Sequence, residues 1–122
     1  MRSDVSTGRL HTGQIETGRF PVVGERQPSP EALDLDSWRL EVRGLVDHPL
    51  ALGHDELMVL ANHELVADIH CVTSWSRLGM TFTGLPLGHL LTEAVPGVDA
   101  AFIRFEAYSP RQHDTSIPME LL

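Results

Sequence analysis

Residues 68–91 read D-I-H-C-V-T-S-W-S-R-L-G-M-T-F-T-G-L-P-L-G-H-L-L, and the cysteine in this stretch, Cys71, is the only one in the chain. From Glu64 to Cys71 apolar and polar residues alternate. Leu65, Ala67 and Ile69 share one face, and Val66, Asp68 and His70 the other. That period of two predicts a strand. Cys71 continues the phase of the apolar face, and Thr73, Ser74, Ser76 and Arg77 then predict a polar turn. A lone thiol at the end of a strand can be a small buried hydrophobe, a nucleophile or a metal ligand. The residues alone leave all three open. Beyond the turn, Met80 to Gly84 predicts a short strand. Pro86 suits the first turn of a helix because its φ is fixed, and Leu87, Leu90 and Leu91 make that helix's buried stripe. The helix ends before Pro96-Gly97.

Upstream, Asp36 to Gly44 alternates Trp38, Leu40 and Val42 against Arg39, Glu41 and Arg43, a half-buried strand. Asp47-His48-Pro49 predicts a turn and Leu50 to Leu52 a short partner strand. His54 to Ala61 predicts a helix with Leu57 and Leu60 inward and Asp55 and Glu56 in its first turn, where acidic groups suit the helix dipole. Gly53-His54 stands where a Ser or Thr cap is usual. Downstream, Ala101 to Tyr108 predicts a strand and Ser109 to Thr115 a polar loop. Residues 1–18 are polar and glycine-spaced, which predicts a flexible tail. Their glycines lack the G-K-[ST] ending of a phosphate loop. Arg19 to Val23 is the first apolar patch. The prolines of the following G-E-R-Q-P-S-P oppose regular structure. This mixture predicts an α+β domain over residues 19–122.

Composition narrows the functions. The 122 residues carry a net charge of −8 and no block of Lys or Arg, which argues against nucleic acid as a partner. At 42% apolar the chain can form a core, yet no run approaches the roughly eighteen apolar residues of a spanning helix. There is no membrane segment, no apolar signal region at the N-terminus and no twin-arginine pattern, so the expected compartment is the cytoplasm. A single cysteine excludes an intrachain disulfide.

H-C-V-T-x-W-S-x-L followed by T-G-L-P-L-x-x-L-L resembles the cysteine segment of the sulfite-oxidase-type molybdopterin-dependent oxidoreductases. It is similar to the small soluble branch near the catalytic subunit of the bacterial methionine-sulfoxide reductase. W-R-L-x-V-x-G-L-V-x-x-P-L-x-L resembles that family's opening hairpin, and S-I-P-M-E-L-L its segment S-L-P-L-E-x-L. The resemblance implies the N-terminal part of that fold, with Cys71 as the one protein thiolate on molybdenum beside two dithiolene sulfurs of the pterin and oxo groups. A soft thiolate suits such a site. It implies an F-P-V segment against the cofactor, hence Phe20, with Arg19 as a phosphate or substrate-anion contact. It also implies Thr73 as a hydrogen-bond partner of the cofactor, and His70 as a group that supports the site rather than a ligand. Trp75 and Ser76 would wall the metal loop. The implied reaction is oxygen-atom transfer on a small sulfur- or nitrogen-oxide substrate, with electrons passing to a separate carrier or to none.

Some residues depart from the pattern. Ala107 stands in F-E-A-Y where relatives carry a Thr, and Arg111 and His113 lie in a loop that faces the active site in relatives. The family's domain continues for several dozen residues that supply further pterin contacts. The expectation is therefore an incomplete domain. It either works as an oxidoreductase or serves, cofactor-free, as an interaction or structural domain. Two plainer readings stand beside this one. A metal site of His63, His70 and Cys71 has the spacing H-x6-H-C, which matches no common zinc pattern. A cysteine nucleophile with a histidine base has no matching signature around Cys71.

Overall fold

Strands make up most of the regular structure of the chain, seen in a computed structural model that describes residues 10–21 and 28–122. In chain order the elements are β1 (Ile15–Glu16), β2 (Arg39–Val42), β3 (Leu50–Gly53), α1 (His54–Leu60), β4 (His63–His70), β5 (Trp75–Gly84), α2 (Leu87–Ala94), β6 (Phe102–Glu106), β7 (Asp114–Pro118) and a closing 3-10 turn (Met119–Leu121). The fold is α+β. The chain divides into two units, Met1–Gly24 with Glu64–Thr83 and Glu25–His63 with Gly84–Leu122.

The first unit holds a three-stranded sheet in the order β1-β5-β4. Cys71 follows the last residue of β4 and pairs with Trp75, the first of β5, so that Val72-Thr73-Ser74 form a three-residue loop between them. Ser74 N–H donates to Cys71 O at 3.1 Å, and Cys71 N–H donates to Trp75 O at 2.9 Å. Ser74 takes φ 75°, the left-handed residue that such a three-residue hairpin loop requires. The tight loop starts β5 at Trp75, so Trp75, Ser76 and Arg77 belong to the strand and not to a polar turn.

β1 runs parallel to β5, with Ile15 opposite Trp75 and Glu16 opposite Ser76. Residues 10–18 therefore correct the expected tail, while residues 1–9 lie outside the described residues, as do Val22 and Val23 of the first apolar patch and residues 24–27 after it. The physical reason is that this edge strand pairs through backbone hydrogen bonds, which leave no side-chain pattern in the sequence. Ile15 N–H donates to Ser74 O at 2.9 Å and Thr17 N–H to Ser76 O at 2.8 Å. Ile15 stays 72% exposed, so no apolar pattern marks the strand in the sequence.

In the second unit β2 and β3 pair antiparallel, from Arg39 opposite Gly53 to Val42 opposite Leu50. α1 follows β3 directly. Its start is held by the returning half of a capping box, in which Gly53 N–H donates to Glu56 Oε1 at 3.1 Å. Leu57 is half-buried and Leu60 is exposed, so the helix buries less than its pattern promised.

α2 is capped by Pro86 and buries Leu90 and Ala94, with Leu87 and Leu91 half-buried. Its end is pinned by Asp47 N–H to Val95 O and His48 N–H to Ala94 O, at 3.0 and 2.9 Å. β6 and β7 form a second antiparallel hairpin, Phe102 opposite Pro118 through Glu106 opposite Asp114. Among the described residues the buried apolar side chains are Leu90, 8% exposed, and Ala94, fully buried. Phe102, Leu121 and Leu122 are among many large apolar side chains left open to solvent.

Candidate functional site

Cys71 stands at the mouth of the β4–β5 hairpin and is part-exposed, which sets aside its reading as a buried core residue. The loop folds back on the sulfur. Thr73 Oγ1 lies 3.1 Å from Cys71 Sγ. That hydroxyl, followed by the backbone N–H of Thr73, holds the thiol below the usual cysteine range against a smaller opposing effect of desolvation, and the Val72 N–H adds least. Hydrogen bonds to the charged form favour the thiolate, the form that acts as ligand or nucleophile. Thr73 therefore touches the sulfur directly.

His70, the last residue of β4, turns its Nδ1 to Ser76 Oγ at 2.7 Å. Ser76 is fully buried, and its hydroxyl donates to Gln14 Oε1 at 2.7 Å. Gln14 Nε2 in turn donates to Cys71 O at 3.1 Å. The ring of His11 meets that of His70 edge-on, with centroids 4.7 Å apart. Sequence reading missed Gln14, which lies in a polar segment with no pattern around it. It also took Ser76 for a wall residue. The available signal was Ser76 itself, a hydroxyl flanked by Trp75 on a strand that leaves a tight loop.

Phe20 packs edge-on against Trp75 at 5.8 Å, and the Arg77 guanidinium sits 4.7 Å above its ring. The approach to Phe20 is fixed by Thr17, whose Oγ1 accepts from Arg19 N–H at 3.2 Å and donates to Arg19 O at 2.7 Å. Trp75 Nε1 is buried and has no partner among the described residues. A buried donor of this kind is costly to leave unpaired. Arg19, Phe20, His70, Cys71 and Thr73 all belong to the first unit. Ala107, Arg111 and His113 belong to the second. There Ser109 Oγ accepts from His113 N–H and meets His113 Nδ1, both at 2.9 Å. Among the described residues no three His, Cys, Asp or Glu side chains gather to hold a metal ion, so His63, His70 and Cys71 form no such site.

A metal bound here would take one thiolate from the chain and its remaining ligands from elsewhere. That donor set fits a molybdenum whose other sulfurs belong to a pterin. The family model of the oxidoreductase molybdopterin-binding domain matches residues 26–122. An uncharacterized oxidoreductase of Bacillus subtilis (strain 168), YuiH, is 33% identical over 106 residues, which is 87% of this chain and 53% of that protein. Because 106 of 122 residues align, that stretch takes in Arg19 and Phe20, which precede the family match. No solved structure matches the chain. The chain belongs to the oxidoreductase molybdopterin-binding domain family, with Cys71, His70 and Thr73 inside the matched residues. It spans about half the length of the curated relative it matches. Among the described residues no helix is long and apolar enough to cross a membrane.

Proposed function

We propose that this chain is a molybdopterin-dependent oxidoreductase of the sulfite-oxidase type, in which the Cys71 thiolate is the protein ligand of molybdenum. The observation that carries the reading is the loop itself: an accessible sulfur at a hairpin mouth, with the Thr73 hydroxyl and two backbone N–H groups favouring its charged form. The bound cofactor would supply two-electron oxygen-atom transfer on a small sulfur- or nitrogen-oxide substrate. The chain's own residues hold and orient it. Thr73 fixes the thiolate. Phe20, braced by Trp75 and Arg77, offers an apolar face to the pterin. Arg19 answers an anionic group, of the phosphate or of the substrate. The enzyme works in the cytoplasm and passes electrons to a separate carrier.

The test is elemental analysis of the full chain purified from a host that makes molybdopterin. One molybdenum per chain is expected, lost in Cys71→Ser while the far-ultraviolet circular dichroism is kept. A Cys71→Ser variant that keeps its molybdenum sinks the assignment. A second reading draws on the exposed Phe102, Leu121 and Leu122, which suit a domain that works by association and binds no cofactor. A folded wild-type chain without molybdenum favours that reading.

A further inference from the structure

We propose that Gln14, Ser76 and His70 form one directional hydrogen-bond relay that positions the Cys71 loop, with neutral His70 held as the Nδ1–H tautomer. The inference deepens the reading of Cys71 as the functional thiolate and rests on it for its meaning, though not for its geometry.

The direction follows from what each group can give. A backbone carbonyl only accepts, so the Gln14 atom facing Cys71 O at 3.1 Å is the amide nitrogen. The other end of that amide is then Oε1, which also only accepts. Ser76 Oγ, 2.7 Å from it, must therefore donate its one proton there. Ser76 has no second proton for His70, and it is fully buried, so water offers no alternative partner. The 2.7 Å contact between Ser76 Oγ and His70 Nδ1 is a hydrogen bond only if Nδ1 carries the proton. In the neutral ring Nε2 is then unprotonated. Flipping the Gln14 amide would set two acceptors against each other at Cys71 O, and a reversed hydroxyl would do the same at Gln14 Oε1.

The far end of the relay is the Cys71 loop. Cys71 O receives both Gln14 Nε2 and Ser74 N–H. This carbonyl shares its peptide plane with Val72 N–H, and in a trans peptide the two point in opposite directions. Holding the carbonyl from one side thus fixes the plane of the peptide that leads from Cys71 into the loop. His70 acts on the Cys71 carbonyl through three hydrogen bonds. It is a positioning residue, as are Gln14 and Ser76. Supporting groups of this kind commonly set the orientation of a metal-binding side chain.

The experiment is nitrogen-15 NMR of the histidine rings in the full chain without molybdenum, at a pH where His70 is neutral. Wild type should show His70 with the proton on Nδ1, the minor form of free imidazole side chains. Two variants separate direction from mere packing. Gln14→Leu removes the acceptor, so the Ser76 proton turns to His70 and the ring changes to the Nε2–H form. Gln14→Glu keeps an acceptor for Ser76, so the ring stays Nδ1–H, while the donor to Cys71 O is lost. In both variants the Ser74 amide should exchange with solvent about fivefold faster, the factor set by one ordinary hydrogen bond. An Nε2–H ring in wild type, or a ring unchanged by Gln14→Leu, overturns the relay. Unchanged Ser74 exchange in both variants overturns its role in the loop. Molybdenum content is read separately, so failure of the cofactor assignment and failure of the relay are told apart.

Discussion

The two units bury different chemistry. Among the described residues of the first, the fully buried side chain is a hydroxyl, Ser76, satisfied on both sides by Gln14 and His70. Among those of the second, the buried side chains are Leu90 and Ala94 on one face of α2. Each unit also has a Ser–His pair, and these differ in the same way. Ser76 and His70 meet across two strands with every proton accounted for. Ser109 and His113 meet within one exposed loop, where water can take either side of the hydroxyl. Because the central hydroxyl of the first network, Ser76, is fully buried, no solvent can substitute there for a missing partner, and the network's direction is fixed at that atom. An exposed pair of nearly the same length, 2.9 against 2.7 Å, fixes nothing.

The largest effect expected from this comparison lies in the apolar unit. Leu90→Ala should cost about 2–5 kcal/mol, through lost transfer energy and the cavity left beside Ala94. Urea unfolding measures it. A loss well under 1 kcal/mol would mean that α2 packs too loosely to act as a core. Next comes Ser76→Ala, which takes a partner from the part-buried Gln14 amide oxygen and from the His70 ring N–H. The expected cost is about 1 kcal/mol, that of an ordinary hydrogen bond, because water reaches the exposed His70 ring. Ser109→Ala, at the exposed pair, should stay within about 0.5 kcal/mol of wild type. Equal losses for the two serine variants would erase the contrast between the pairs.

Much of this contrast was hidden in the sequence, for physical reasons. Alternation exposed β2 and β4, which carry side chains of two kinds on two faces, while the preceding turn exposed β3 and β-favouring residues exposed β6. Alternation could not expose β1, whose two residues are held through backbone N–H and C=O groups that every residue has. It also overstated burial: Leu65 sits in the apolar phase of β4 and is 58% exposed. Periodicity tells which side chains share a face, not whether anything covers that face. Cys71 was legible because its neighbours form a motif. Thr73 was legible with it, being two residues away on the same loop. Gln14 was not, since it lies 57 residues from the carbonyl it serves and only the parallel pairing of β1 with β5 brings it there.

The smallest effect sharpens the comparison at the sulfur itself. Cys71 is exposed enough to be alkylated, and its thiol lies below the usual range chiefly because of the Thr73 hydroxyl. In the chain without molybdenum, the pH midpoint for reaction with iodoacetamide should therefore fall below that of a free cysteine. Thr73→Val removes the first contribution and leaves the backbone N–H groups. The charged form loses a donor, so the midpoint moves up, toward the ordinary thiol value. Thr73→Ser restores the hydroxyl and should bring the midpoint back down. If Val and Ser variants share one midpoint, the backbone of the loop governs the sulfur and the side chain does not. In that case Gln14, which holds the loop's carbonyl, would matter more to the thiolate than the residue that touches it.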